Sequence, residues 1–309
     1  MNSHVVISKK CTRIPSENIL WNVLALFRVL WRWDLKAFIK EHRKLYAEAR
    51  QSGDHGAVTA HYYSLMSDVI EATFGGNFHF VPPITAGQSR ADASGSLAER
   101  IGRLLQLGIN SRVLDIGCGI GSAMVSIAKA TGARLTGCTV SPNEVRRGSV
   151  LMKAEGVDAL CGLVEGDAND LPLQDASFDA AYAIYALKYF PDLRPIFTEV
   201  SRVLENNGLF LVYDLLTTPS YDPKNEKQAR EVEMLEEACG MPPLHSAAEM
   251  RAAAQSAGFQ LAAEFDFASS TSLPWHYAFS KNAALMWLLR SPLVYYLLRL
   301  LELGRLMLW

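Results

Sequence analysis

The clearest chemical feature of the sequence is a glycine-rich turn that directly follows a short apolar run. Residues 113–121 read Val-Leu-Asp-Ile-Gly-Cys-Gly-Ile-Gly, and a stretch of small and apolar residues comes next. The run before the turn is typical of a buried parallel strand, and the stretch after it predicts a helix. Because Gly117, Gly119 and Gly121 place no Cβ at the turn, a ligand can touch backbone N–H groups at the start of that helix. The turn therefore predicts a ligand site.

The spacing of the glycines indicates which ligand the turn holds. A dinucleotide-binding turn has the pattern G-x-G-x-x-G with an acid about 20 residues later. Here the third glycine comes one residue early, and no acid follows at that distance. The pattern D-x-G-x-G-x-G instead resembles motif I of the class I S-adenosylmethionine (SAM) methyltransferases, in which the carboxylate orients the loop and the glycines admit the methionine moiety. The residues that this resemblance assigns to the cofactor are Asp115, Gly117, Cys118, Gly119 and Gly121. We interpret Cys118 as a small residue that the turn needs, not as a nucleophile.

Two later segments resemble further cofactor-binding elements of such enzymes. Thr139 and Glu144 stand in a corner similar to T-x-S-x-x-Q, which in lipid-acting and sterol methyltransferases meets the ribose with hydroxyl and amide groups. Glu144 replaces the usual glutamine, and a carboxylate can still accept a hydrogen bond from a ribose hydroxyl. Asp167 and Ala168 belong to an element similar to G-D-A-x-x-L-P. The resemblance implies that this aspartate or the neighbouring backbone contacts the adenine amine.

An aromatic stretch ahead of the glycine turn resembles the sterol C-methyltransferase family. Residues 62–80 follow the family pattern Y-Y-x-L-x-T-D-x-Y-E-x-G-W-G-x-S-F-H-F at most of its aromatic and acidic positions. Because an aromatic face attracts positive charge by about 0.5–2 kcal/mol per contact, this stretch suits an apolar pocket that stabilises a cation. We expect Tyr63 at the cofactor. The candidates for the group that accepts a proton or stabilises the cation are Glu71, Asp68 and His79.

One segment departs from the family pattern. Residues 182–192 read Tyr-Ala-Ile-Tyr-Ala-Leu-Lys-Tyr-Phe-Pro-Asp, where the sterol methyltransferases have Y-A-I-E-A-T-C-H-A-P-D. Tyr185 replaces the family's acid and is a further candidate catalytic residue, and Lys188-Tyr189 replaces the Cys-His pair. If that acid or histidine is the proton acceptor in the family, either another group takes the proton here or the substrate differs.

The resemblance runs from about Tyr62 to Tyr277 and implies an enzyme. The expected reaction is SAM-dependent transfer of a methyl group to a carbon of a sterol, with a side-chain double bond as the expected acceptor, or of a related isoprenoid lipid. In the implied mechanism the double bond attacks the sulfonium methyl and a proton then leaves. Three alternatives stay open: methylation of the sterol ring system, a linear prenyl or triterpene acceptor, and a non-catalytic lipid-binding protein on the same fold. The scattered cysteines indicate no metal site, and a net charge of −2 indicates no nucleic-acid partner.

The elements that must position these residues alternate along the chain. They predict the α/β class: a Rossmann-like class I methyltransferase fold with a mostly parallel, doubly wound sheet and helical N- and C-terminal additions. Strands are expected after residue 112 and at 134–139, 163–167, 177–184 and 209–215. Helices are expected at 34–52 and 96–107, the second after a polar loop at 85–95. The predicted organisation is a membrane-interacting segment at 1–55, a substrate-side cap at 56–110, a SAM-binding core at 111–216 and a sterol-methyltransferase-like region with an apolar tail at 217–309.

Both ends of the chain combine apolar and basic residues. Residues 19–33 place Arg28 and Arg32 on one helical face among tryptophans and leucines, and residues 283–309 form the most apolar stretch. Since a membrane span needs about 20 apolar residues, we expect both segments to lie in the membrane interface. The alternatives are packing on the protein itself or on a second copy, closure of the C-terminal segment over the lipid pocket, and a spanning anchor. The expected location is the cytoplasmic face of membranes as a peripheral protein, and otherwise the cytoplasm, where scattered cysteines stay reduced. Homo-oligomerisation stays open.

Overall fold

Five parallel strands form the centre of the structure, a computed structural model that describes residues 28–74, 81, 85 and 88–266, with the backbone alone at 71–74, 90 and 91. The strands lie in the order β3-β2-β1-β4-β5. Their bounds are β1 Arg112–Ile116, β2 Arg134–Thr139, β3 Cys161–Glu165, β4 Phe178–Ile184 and β5 Leu204–Tyr213. This order places the crossover between β3 and β4 beside the central strand β1, where α/β sheets of this type hold their ligands. The predicted fold class is confirmed.

Helices alternate with the strands and cover both faces of the sheet. Their bounds are α1 Leu35–Ser52, α2 Gly56–Phe74, α3 Arg90–Leu104, α4 Ser122–Thr131, α5 Pro142–Glu155, α6 Arg194–Val203, α7 Glu226–Cys239 and α8 Ala247–Ser256. One buried cluster joins α3, α4 and α5 to the sheet through residues such as Ile101, Ile127 and Met152. A second cluster joins α6 and α8 to the other face through Ile196 and Ala253. The sheet is therefore doubly wound.

Strand β2 is found where it was predicted, but its neighbour β3 begins and ends two residues earlier than expected. The pairing of β2 with β3 ends at Thr139 and Glu165, and the Gly166 amide then donates to the Thr139 carbonyl. The chain turns at once, because the Asp167 side chain accepts hydrogen bonds from Asn169. A local side-chain turn of this kind competes with continued strand pairing.

The prediction of a polar loop before residue 96 is wrong, because α3 already begins at Arg90. Ser89 and Asp92 form a capping box: each side chain accepts a hydrogen bond from the backbone of the other. This arrangement satisfies two free N–H groups of the first helical turn and starts the helix within a stretch of small residues. The helix ends at Leu104, three residues before the predicted end.

The N-terminal helices pack against the end of α7. The helix predicted over 34–52 is confirmed as α1, which Asp34 caps at its start and Gly53 ends in a left-handed conformation. His42 of α1 contacts the Glu237 carbonyl at 2.6 Å, and the Thr59 hydroxyl of α2 donates to the Gly240 carbonyl at 2.7 Å. These contacts hold α2 beside the C-terminal end of α7. None of the described helices is both long and apolar enough to span a membrane.

Candidate active site

The glycine turn joins β1 to α4, and its three glycines have different surroundings. All three are left-handed, with φ values of 68° at Gly117, 55° at Gly119 and 77° at Gly121. A Cβ on Gly117 would lie 2.6 Å from the Cβ of Ala186, and one on Gly121 would lie 2.6 Å from the methyl of Met152. A Cβ added to Gly119 would have no atom of the neighbouring described residues within 4 Å. Packing therefore explains two of the glycines, and the third leaves backbone open to a ligand at the start of α4.

Asp115 lies directly beneath this turn, fully enclosed. Its side chain is buried and accepts a hydrogen bond from the Tyr182 hydroxyl of β4 at 2.9 Å. Burial raises the pKa of Asp115 to about 8, although the bond from Tyr182 favours the charged form. Burial also raises the pKa of Cys118 well above its ordinary value, so its thiol is a poor nucleophile. The interpretation of Cys118 as a small turn residue agrees with this environment.

The ends of β2 and β3 add a polar corner next to the turn. The buried Thr139 hydroxyl donates to the Glu144 carboxylate at 2.5 Å, and Ser141 caps the first turn of α5 through the Glu144 amide. Asp167 is exposed, whereas Ala168 is buried beneath it. Because the carboxyl ends of parallel strands share one edge of a sheet, the predicted cofactor residues of all three strands come together there.

A group of tyrosines borders this corner on the side of β4. The Tyr63 hydroxyl of α2 donates to the Tyr189 hydroxyl at 3.0 Å, and their ring centroids lie 5.5 Å apart. The pKa of Tyr63 is raised to about 12, mainly because the side chain is buried, although its hydrogen bond with Tyr189 acts in the opposite direction. Tyr63 therefore links α2 to the segment that follows β4.

Tyr185 occupies a strained position at the end of β4. Its φ is +54°, which is uncommon for a residue with a side chain. The backbone N–H of Tyr185 donates to the Tyr213 carbonyl at 2.8 Å, and the two rings meet edge to face at 5.2 Å. Contacts from β5 thus hold a conformation that costs on the order of 1–3 kcal/mol. The sharp turn directs the chain into a short 3₁₀ helix at Leu187–Tyr189.

A buried lysine and aspartate lie at the centre of this tyrosine group. The Nζ atom of Lys188 is 4.0 Å from the Asp214 carboxylate, and the side chains are only 10% and 1% exposed. The same Nζ lies 4.2 Å from the ring centroid of Tyr185 and 5.1 Å from that of Tyr189. Burial lowers the pKa of Lys188 to about 8 despite the nearby carboxylate, and burial raises the pKa of Asp214. The pair therefore holds a lysine that gives up its proton more readily than usual.

Of the three catalytic candidates from the aromatic stretch, the structure describes only one side chain. Asp68 is exposed on α2. Glu71 lies in the last two turns of that helix, but its side chain and the whole of His79 fall outside the described residues. Their catalytic roles stay predictions.

Lys188 and Asp214 are functional candidates to which sequence reasoning assigned no role. Lys188 was visible only as a departure from the family pattern, and Asp214 lay within the strand predicted at 209–215. The signal that links them is their position directly beyond β4 and β5, which are parallel neighbours. Side chains at the carboxyl ends of such strands meet at one edge.

The fold and the site together define a class of protein. A family model described as a methyltransferase domain matches residues 114–212, from β1 to β5. Among solved structures, the chain resembles a geranyl diphosphate C-methyltransferase from Streptomyces coelicolor A3(2), with a TM-score of 0.57, 18% identity and coverage of 67% of this chain and 83% of that one. It also resembles the [4+2]-cyclase SpnF, with a TM-score of 0.53, 24% identity and coverage of 62% and 67%. At these identities both structures show the fold alone. The chain has the class I SAM-dependent methyltransferase fold.

Relatives by sequence narrow this class. The chain is 42% identical over 293 residues to the sterol 4-C-methyltransferase strm-1 of Caenorhabditis elegans, covering 94% of this chain and 87% of that protein. It is 33% identical to the 24-methylenesterol C-methyltransferase 2 of Oryza sativa subsp. japonica, covering 79% of this chain and 66% of the relative. The chain belongs to the sterol C-methyltransferase family.

Proposed function

We propose that this protein transfers the methyl group of SAM to a sterol, and that the accepting atom is carbon 4 of the ring system. The observation that carries the ring assignment is the similarity to a sterol 4-C-methyltransferase, at 42% identity along 94% of this chain. The 24-methylenesterol relative from rice is 33% identical along 79%. The side-chain acceptor that the motifs favoured thus becomes the second candidate.

The cofactor end of the site supports the donor half of the reaction. The open face of Gly119 and the N-terminus of α4 suit the methionine moiety, and the Thr139–Glu144 pair suits the ribose hydroxyls. Asp167, exposed beyond β3, suits the adenine. In this proposal bound SAM supplies an electrophilic methyl on a positively charged sulfur. The chain's own residues hold and orient it and keep water away from the reacting atoms.

The acceptor end supports a substrate that differs from that of the 24-C enzymes. This chain has Tyr185 at the position where the family pattern has an acid. It has Lys188-Tyr189 where the family pattern has a Cys-His pair. The structure places these three side chains around one point, with Asp214 beneath. A buried amine beside tyrosine rings surrounds the substrate with different chemical groups than a carboxylate and an imidazole do. The simplest explanation of this difference is that a different carbon of the substrate reacts.

Two sterols that differ only in the side chain test this proposal. One sterol has a saturated side chain, and the other has a double bond at carbon 24. Each is tested both as the ring alcohol and as the ring ketone, because a C–H beside a carbonyl is more easily deprotonated. Purified protein with SAM labelled in the methyl group should transfer label to the saturated-side-chain sterol. Labelling only of the sterol with the side-chain double bond would support the second candidate instead.

We also propose that the protein binds membranes peripherally, on the cytoplasmic face. At the described end of the N-terminal segment, Trp31 is 85% exposed between the exposed Arg28 and Arg32. An indole flanked by two cations suits the headgroup region of an anionic bilayer. The full chain should float with anionic liposomes, and less so at high salt. A variant lacking residues 1–34 and 283–309 should float less, and equal flotation of the two would contradict the proposal.

A further inference from the structure

The proposed reaction releases one proton, and the described site must contain or adjoin the group that takes it. A methyl cation equivalent replaces a hydrogen on carbon, so the substrate loses a proton whether deprotonation precedes or follows methyl transfer. In a buried site a general base must lie close to that carbon, and such a base typically contributes about 10²–10⁴-fold to the rate. The question is which side chain acts as this base.

The position of Lys188 connects it to the reacting end of the cofactor site. Lys188 lies two residues after Ala186, whose Cβ packs against Gly117 of the glycine turn. Its Nζ lies 5.1 Å from the ring centroid of Tyr189, and the Tyr189 hydroxyl accepts a hydrogen bond from the hydroxyl of Tyr63. The segment that carries Lys188 therefore contacts the glycine turn through Ala186 and the predicted cofactor residue Tyr63 through Tyr189, which places the lysine next to the proposed cofactor site.

The other titratable groups that face Lys188 are less suited to accept a proton. They are Asp214, which directly follows β5, Cys239 from α7, and Tyr185 and Tyr189 from its own segment. Asp214 accepts hydrogen bonds from the backbone amides of Leu187, Lys188 and Leu215, so its oxygens are turned toward the chain. The tyrosines and Cys239 are neutral, and burial raises the pKa of each, so their strongly basic anionic forms are scarce.

We infer that Lys188, as a free amine, takes up the proton that the sterol loses on methylation; this inference rests on the proposed function. The lone pair of Nζ forms the new N–H bond, and the electrons of the broken C–H bond stay on the substrate. The ammonium that results is stabilised by Asp214 and by the faces of Tyr185 and Tyr189. A positively charged sulfur bound nearby would favour the neutral amine over the ammonium before methyl transfer.

Replacement of Lys188 by arginine and by methionine separates this role from a structural one. Arginine keeps the positive charge beside Asp214 but never deprotonates, and methionine keeps the length of the side chain without charge. Both variants should lose about 10²–10⁴-fold in kcat on the saturated-side-chain sterol while binding SAM as the unaltered chain does. Lys129→Arg changes a lysine that is ion-paired with Glu155 on the surface, and it should leave kcat unchanged.

The pH profile is the readout that a structural role would not move. Because the free amine is the active form, kcat/KM of the unaltered enzyme should rise with pH up to about 8, the pKa that burial gives Lys188 in the ligand-free chain. The carboxylate of Asp214 raises the pKa of Lys188, and Asp214→Asn removes this charge. The rising limb of the pH–rate profile of this variant should therefore shift to lower pH, even if the variant is less stable. Lys188→Arg with more than a tenth of the unaltered kcat, or a limb that Asp214→Asn does not shift, would overturn the inference. Absence of turnover by the unaltered chain would instead overturn the proposed function, and this inference with it.

Discussion

The two ends of the site are built in different ways. The cofactor end consists of three short segments, each directly following a strand, and local backbone geometry does most of the positioning: left-handed glycines, a helix N-terminus and a capped first turn. The acceptor end is assembled from α2, the segment after β4, the end of β5 and the end of α7, and side chains do the positioning. A backbone-built cradle suits a cofactor that many enzymes share, whereas a side-chain cluster can change with the substrate.

The largest effect should come from the cofactor end. Gly119→Val should abolish SAM binding, because the branched side chain would fill the space in which the methionine moiety meets the backbone. Isothermal titration calorimetry with SAM measures the loss. Gly156→Val is the matched control, because Gly156 is equally left-handed and equally open but ends α5. The control should lose stability through backbone strain and keep its SAM affinity. Unaltered SAM affinity in folded Gly119→Val would refute the assignment of the loop.

At the acceptor end, Glu71→Gln should lower kcat by about 10²-fold or more and leave SAM affinity nearly unchanged. The amide keeps the shape of the side chain but removes a charge that favours the passage of positive charge from sulfur to substrate. Glu99→Gln, a change of an exposed glutamate on α3, should be silent in the same assay. A kcat within about twofold of the unaltered value would remove Glu71 from the mechanism. If Glu71 rather than Lys188 is the proton acceptor, its replacement would abolish the rising pH limb, and Lys188→Arg would not.

Asp115 lies between the two ends of the site, where it accepts a hydrogen bond from Tyr182 of β4 beneath the glycine turn. Its protonation state can be tested through the pH dependence of stability. Its pKa is about 8 in the folded protein and near 4 in an unfolded chain. Between these values the folded state holds a proton that the unfolded state releases, so stability falls as pH rises, by up to about 1.4 kcal/mol per pH unit from this group. Thermal unfolding without ligand should show a steeper loss from pH 5 to 8 in the unaltered chain than in Asp115→Asn. Parallel curves would contradict the buried, protonated Asp115.

The smallest effect should come from Glu144→Gln, which restores the residue that the family pattern has at the ribose corner. The glutamine carbonyl can still accept the hydrogen bond from Thr139, so SAM affinity should change by no more than about threefold. Titration of SAM into this variant checks the expectation. A loss as large as that of Gly119→Val would show that the charge of Glu144 itself is needed.

Sequence patterns predicted what is set by neighbouring residues and missed what depends on distant contacts. The glycine turn, β2 and α1 were predicted correctly because strand, turn and cap signals are local. The start of α3 was missed because Ser89 and Asp92 lie within a run of small residues typical of a loop. The Lys188–Asp214 pair has no local signal, since it depends on the alignment of β4 with β5 and on burial by α7.

Analysis of the methylated product shows whether this chain methylates the ring or the side chain of a sterol. A sterol that carries both a ring site and a double bond at side-chain carbon 24 is incubated with the protein and SAM labelled with ¹³C in the methyl group. The product is then analysed by NMR. We expect a labelled methyl coupled to ring carbon 4, with the side-chain double bond unchanged. A labelled methyl on the side chain, with no label on the ring, would contradict it.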